Sequence, residues 1–235
     1  MTGSSRPKSG APAADDSLKD HLQPFDLATV DRLLTTTRSV RKRLDLTRPV
    51  SLDVIEDCLA LTMQAPNAEN NQTWDWVVVT DESKRRSLAE LYRRSLEPYF
   101  VAKNERVQSE EARRLLDSVR WLTEHLHEVP VHVVPCISGR STLDASNHSA
   151  SSFYGSILPA VWSFQLALRS RGLASAWTTS HLLFEAEAAA VLGIPKDVVQ
   201  AALLPVAHLV GDDLHPGPRR PVAQFVSWER WRNRR

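Results

Sequence analysis

With 235 residues, 42% of them hydrophobic, the chain can bury a sizeable core, and one large domain is expected. A formal net charge of +1 leaves no global field to attract nucleic acid or an anionic membrane, and no run of about 18 apolar residues is present to span a bilayer. Cys58 and Cys136 lie in apolar segments without a CxxC pattern, which fits buried thiols in a reducing cytoplasm better than a disulfide or a zinc site.

In chain order, residues 1–20 are small, polar and proline-containing, and read as a flexible tail rather than a secretory signal. From Phe25 to Thr36, Leu27, Val30, Leu33 and Leu34 recur on one side of a short helix. Ser51 is a candidate N-cap for a second helix with Leu52, Ile55, Leu59 and Met63 on its buried face and Pro66 as its stop. The β-branched run TWDWVVVTD, 73–81, predicts a central strand. Residues 83–128 are highly charged yet keep apolar stripes through Leu88, Leu91, Leu115, Val119, Leu122 and Leu126, which predicts two or more amphipathic helices.

A second strand is expected over 129–137, followed by a turn-rich loop over 138–152. The stretch 152–172 is apolar nearly all round, contains Pro159 and closes on Gly172; such a helix must be central or shared between subunits. Residues 173–180 predict a short strand or extended loop, 184–195 a short helix stopped by Gly193 and Pro195, and 198–211 a further strand. A proline-rich arm with a last amphipathic piece ends the chain. Without a regular βαβ repeat, the expected class is α+β, a sheet flanked by helices, rather than a doubly wound fold.

Two stretches carry chemistry. TTTRSVRK, 35–42, gathers Arg38, Arg41 and Lys42 around Ser39, which reads either as a solvated helix end or as an anion pocket, because guanidinium forks and a neighbouring hydroxyl or amide match phosphate oxygens. APNAENNQTWDWVVV, 65–79, places Asn67, Asn70, Asn71 and Gln72 between a helix stop and a strand; these amides form an ordinary turn or read the donor and acceptor edge of a heteroaromatic ring. GxGxxG, GxxxxGK[ST] and GxSxG are absent. His125 and His127 are two apart on a helix and diverge, so no metal site is expected there. His132, His181 and His208 are each expected to be satisfied by one hydrogen bond. Trp76 and Trp162 read as core or subunit interface, and Trp74 and Trp177 as candidates for the ligand's vicinity.

Together these stretches resemble the FMN-dependent nitroreductase family, through Arg38, Ser39 and Arg41, then Pro66, Asn67, Ala68, Asn70, Gln72 and Trp74. The likeness continues through GSILPAVWSFQLALRSRGLASAWTT at 155–179, LGIP at 192–195 and the arm with Arg219 and Arg220, so that it covers roughly residues 27–228. It implies a nitroreductase-like α+β fold with a mostly antiparallel sheet, one FMN-binding domain over 21–235, and an intertwined homodimer with two FMN sites between subunits. By the resemblance, Arg38, Ser39 and Arg41 face the phosphate, ribityl chain and pyrimidine end of one flavin, and Arg219 or Arg220 closes on the phosphate. Pro66, Asn67, Ala68, Asn70 and Gln72 come from the other subunit, while backbone groups of Trp177, Thr178 and Thr179 approach the ring.

The implied activity is ping-pong transfer of a hydride from NADH or NADPH through FMN to a small acceptor: a nitroaromatic, a quinone or an activated alkene. No protein nucleophile or metal is required, and Arg41 supplies electrostatic stabilisation. Two alternatives stand beside it: reductive dehalogenation or flavin breakdown on the same fold, and a flavin-binding dimer without catalysis. The chain departs from the family pattern at Thr37, where a basic residue is usual, at Asn67, where a small one is, and at Thr73, where the motif has proline. Residues 83–127 and 138–151 have no counterpart in the shared motifs and are expected to cover the substrate face.

Overall fold

The computed structural model describes residues 25–104, 109–140, 144, 146–211 and 214–234, so the expected N-terminal tail lies outside the described residues. In order, the elements are α1 (Leu27–Thr36), α2 (Leu52–Thr62), β1 (Trp74–Val79), α3 (Glu82–Asn104), α4 (Glu110–His125), β2 (Val131–Ser138), α5 (Asn147–Ser170), β3 (Leu173–Ser175), α6 (Glu185–Leu192), β4 (Val198–Gln200) and β5 (Leu204–His208). The strand order is β1-β2-β5-β3, with β4 also paired to β2, and every pairing is antiparallel. The fold is α+β, as the sequence predicts.

β2 is the central strand because it is apolar on both faces, and alternation of its side chains divides the core in two. Val131, Val133 and Ile137 join Ile55 and Cys58 of α2 with Ile157, Val161, Phe164 and Leu168 of α5. Val134 and Cys136 point the other way, into a cluster with Leu88, Leu91 and Tyr92 of α3, Leu122 of α4 and Ala188 of α6. Both cysteines are free and buried. Among the described residues, no helix is long and apolar enough to cross a membrane.

Several expectations are corrected. β1 pairs only with β2 and is an edge strand of the described sheet, not a central one. α5 starts at Asn147, inside the expected loop, because the Ser146 hydroxyl accepts the Ser149 N–H and caps the first turn. The region 198–211 holds two strands; between them Ala201 N–H is diverted to Pro135 O, and Leu203 pairs with Thr178. Ser51 occupies the N-cap of α2 without a capping bond from its side chain. On α4 it is Leu116, not Leu115, that turns inward. Gly193 ends α6 as expected, at φ 73°.

The apolar stripes of three helices are only partly covered by their own chain. Leu27 and Leu34 on α1, Leu61 on α2, and Tyr154, Leu158 and Trp162 at successive four-residue steps on α5 remain exposed.

Candidate functional site

After α1 the chain runs along the sheet margin formed by β3 and β5. Val40 N–H bonds to Ser175 O (2.8 Å), Asp45 N–H to His208 O (2.9 Å), and Val210 N–H to Arg43 O (2.9 Å). These bonds fix the basic stretch against the loop leaving β3, where Trp177 N–H meets Ser39 Oγ at 3.4 Å. The C-terminal arm returns to the same place. Arg38 Nη1 donates to His215 O (3.4 Å), and a β-carbon at Gly217 would stand 3.0 Å from Arg219 Nη1 and 3.6 Å from Arg38 Nη1. Two guanidinium groups, far apart in sequence, thus approach one glycine.

The result is a crevice of about 380 Å³ lined by Arg38, Ser39, Arg41, Lys42, Arg43, Ser118 of α4, His215 and Gly217, among others. None of its described lining residues is a carboxylate. Arg43 turns back onto the chain, with Nε bonded to Val210 O at 2.7 Å. Arg41 Nε is buried and has no hydrogen-bond partner, which is costly for a charged donor unless a ligand accepts from it. The phenol of Tyr92 is pushed up to about 12 by burial, partly opposed by the charge of nearby Arg41. Arg220 faces elsewhere: its guanidinium lies 4.5 Å from the centre of the Phe225 ring.

Past Ser39, Thr178 has its groups consumed by one residue. Its N–H and hydroxyl reach Leu203 O (3.1 and 2.9 Å), and its carbonyl accepts from Leu203 N–H (2.8 Å). Thr179, next along and exposed, accepts from Leu182 N–H, while no hydrogen bond among the described residues engages its own N–H.

The amide loop is built differently. Ala68 N–H bonds to Ser156 Oγ (3.0 Å), and the Trp74 indole N–H to Ser156 O (2.6 Å), so α5 holds both ends of the loop at one residue. Asn67 Oδ1 accepts from Gln72 N–H (2.9 Å), and Gln72 Nε2 lies 3.3 Å from Asn70 Oδ1. Glu69, Asn70 and Gln72 all have φ between 50° and 55°. Three non-glycine residues at positive φ within four positions store strain that the bonds from Asn67 and Ser156 hold in place. Pro66 is exposed at the loop's entrance.

The two stretches do not meet within one chain. The basic segment bonds to Ser175, whose strand partner Val206 pairs with Val131 at the start of β2. The amide loop leads into Trp74, paired with Ile137 near the other end of β2. Six residues of extended strand separate these positions by about 20 Å.

Of the residues singled out in the sequence, Arg38, Ser39 and Arg41 line the crevice, Arg219 approaches Arg38 at Gly217, and Trp177 contacts Ser39. The structure places Pro66, Asn67, Ala68, Asn70 and Gln72 at the far end of the sheet. Sequence reasoning missed Ser118, His215, Gly217 and Ser156; only the HPGP turn ahead of the arginine pair marks any of them.

The sequence profile of the nitroreductase family matches residues 34–208. The chain belongs to the nitroreductase family. Among solved structures, it is similar to oxidised iodotyrosine deiodinase bound to FMN and 3-iodo-L-tyrosine, at 22% identity over 88% of this chain and 99% of that one, TM-score 0.63. It is also similar to a mutant of the FMN- and NADPH-dependent nitroreductase NfnB from Sphingopyxis, at 18% identity over 86% and 99%, TM-score 0.62. A BluB-like flavoprotein from Clostridium difficile matches at 19% identity over 86% and 99%, TM-score 0.63. At these identities the structural likenesses establish the nitroreductase fold; they do not distinguish among the reactions named for the relatives. Members of the nitroreductase family are oxidoreductases.

Proposed function

We propose that the chain is an FMN-dependent oxidoreductase that passes a hydride from NADH or NADPH to a small acceptor, a nitroaromatic, quinone or activated alkene, in two half-reactions. The observation that carries this reading is the crevice: arginines converging beside Gly217, an orphaned buried Arg41 Nε, and no carboxylate among the described lining residues. This donor set suits a phosphate monoester at one end and an electron-rich heterocycle edge at the other.

Arg38 and Arg219 hold the phosphate, and Ser39 reaches the polyol chain. Arg41, with its unpartnered Nε–H, would bond to the pyrimidine edge and would stabilise negative charge there. Of Trp177, Thr178 and Thr179, Thr179 would present its unused N–H to the ring, whereas Thr178 anchors the loop to Leu203 and Trp177 to Ser39. FMN, when bound, would supply the redox chemistry, the uptake and release of a hydride, which none of these side chains provides.

The amide loop completes the site from a second copy of the chain, since about 20 Å separates it from its own crevice. The exposed stripe of Tyr154, Leu158 and Trp162 is the surface on which that copy packs. The deciding experiment is the absorption spectrum of the purified protein, recorded with its mass in solution. A yellow dimer bleached anaerobically by NADH or NADPH supports the reading, and a colourless protein whose melting temperature ignores added FMN refutes it.

A further inference from the structure

A second cleft, of about 500 Å³, opens where the amide loop, the end of β2 and the first turns of α5 meet. Buried Ile137 and half-buried Phe153 give it an apolar side. Several polar groups around it are already spent within the chain, as with Ser156 Oγ and Asn67 Oδ1. Three residues of the lining are not: the side chains of Thr73, Ser152 and His148 make no hydrogen bond among the described residues. The hydroxyl of Thr73 stands where the motif stated above has proline, so this chain adds a donor and acceptor at that point.

The charge of this cleft is opposite to that of the basic crevice. Among its described lining residues there is no lysine or arginine, and the carboxylate is Asp144, which also interacts with His148. Hydrogen bonds from Ser146 hold the Asp144 carboxyl below its ordinary range, so it carries its charge at neutral pH.

We propose that this cleft is the acceptor pocket, and that it selects uncharged aromatic acceptors bearing a hydrogen-bonding carbonyl or hydroxyl while disfavouring anionic ones. The proposal rests on the functional reading above, in which the neighbouring amide loop closes on the partner's flavin. An aromatic ring packs on Phe153 and Ile137, and its polar substituent reaches Thr73 and Ser152. A carboxylate in that place meets Asp144 with no cation of fixed charge beside it, so repulsion supplies the discrimination.

The test uses the FMN-loaded full-length protein and two readouts. In binding, the visible absorption of oxidised flavin is titrated with benzamide and with benzoate, neither of which is reduced. In turnover, kcat/KM is compared for 4-nitrobenzamide, 4-nitrobenzoate and 4-nitrotoluene.

Benzamide is expected to bind about tenfold more tightly than benzoate. The combined Thr73→Val and Ser152→Ala change should weaken benzamide about tenfold and bring 4-nitrobenzamide down to the level of 4-nitrotoluene. Thr73→Ser, which keeps the hydroxyl, should retain wild-type affinity, and Asp144→Asn should improve benzoate binding without altering benzamide. FMN content and thermal melts confirm that each variant is folded and loaded. Equal or tighter binding of benzoate, or a benzamide affinity indifferent to loss of both hydroxyls, overturns the assignment of the pocket while leaving the flavin reading intact. Failure of the wild type to retain FMN sinks both.

Discussion

The basic crevice and the amide loop hold their polar groups in opposite states. In the crevice, charged donors are left open among the described residues: Arg41 Nε has no partner there, and Arg38 and Arg219 donate to backbone carbonyls. In the loop, the strained backbone is bound up by its own chain through Asn67, Ser156 and Trp74. Unquenched charge provides affinity for an anion, whereas a loop with satisfied hydrogen bonds provides a fixed shape. The crevice should therefore dominate cofactor binding, and the loop should register chiefly in stability and in the fit of the ring.

The largest expected effect follows from removing the crevice's converging charges. Arg38→Ala combined with Arg219→Ala should raise the FMN dissociation constant at least about 100-fold, since each charge-assisted bond is worth about 1.5–3 kcal/mol. Wild-type affinity should also weaken with added salt. Flavin fluorescence titrations at two ionic strengths check both, and an unchanged constant would break the comparison at its stronger side.

Acid tests the scaffold between the two regions. His132 on β2 and His181, two residues after Thr179, are fully buried, and desolvation pushes both down to about 4 from 6.5. Both are neutral in the fold, so the unfolded chain binds more protons once the pH drops below about 6.5. Their contribution to stability is fully present above that value and is lost progressively toward pH 4, by roughly 3 kcal/mol per histidine at most. Urea melts at pH 7.5, 6 and 5 should show this loss, and it should shrink in His181→Phe. A flat profile would place the acid-sensitive groups elsewhere.

Smaller effects sharpen the contrast. Asn67→Ala removes the acceptor that holds Gln72 N–H at positive φ and should cost about 1 kcal/mol, a fall of roughly 2–4 °C in Tm for a chain of this size. FMN affinity should fall far less than in the arginine pair. Arg220→Ala should change the FMN dissociation constant less than about twofold, because its guanidinium is occupied with the exposed Phe225 ring. A loss as large as that of Arg219→Ala would show that the arm rearranges on binding.

Much of the secondary structure was legible because it depends on local spacing. The periodicity of Leu88 and Leu91 placed α3, the β-branched run at 73–81 placed β1, and Gly193 ended α6. Errors arose where a distant partner intervenes. β1 looks central by composition, yet its second edge is unpaired among the described strands. The 198–211 segment reads as one strand, but the carbonyl of Pro135 captures Ala201 and splits it. His181 was expected to have one hydrogen bond; the Gln200 side chain interacts with it, but neither ring nitrogen reaches hydrogen-bond geometry among the described residues. His132 met the expectation through Leu126 O at 2.8 Å.

By itself, the order of residues determined where positive charge accumulates at 38–43, where side-chain amides cluster at 67–72, and which helices carry apolar stripes; these follow from composition and period along one stretch of chain. Only the tertiary structure decided that Arg219 rather than Arg220 joins Arg38, and that the amides lie at the opposite end of β2. Those outcomes depend on strand register and on an arm that returns across 177 positions to place His215 beside Arg38. Such contacts are selected by the packing of the whole sheet, and no local pattern encodes them.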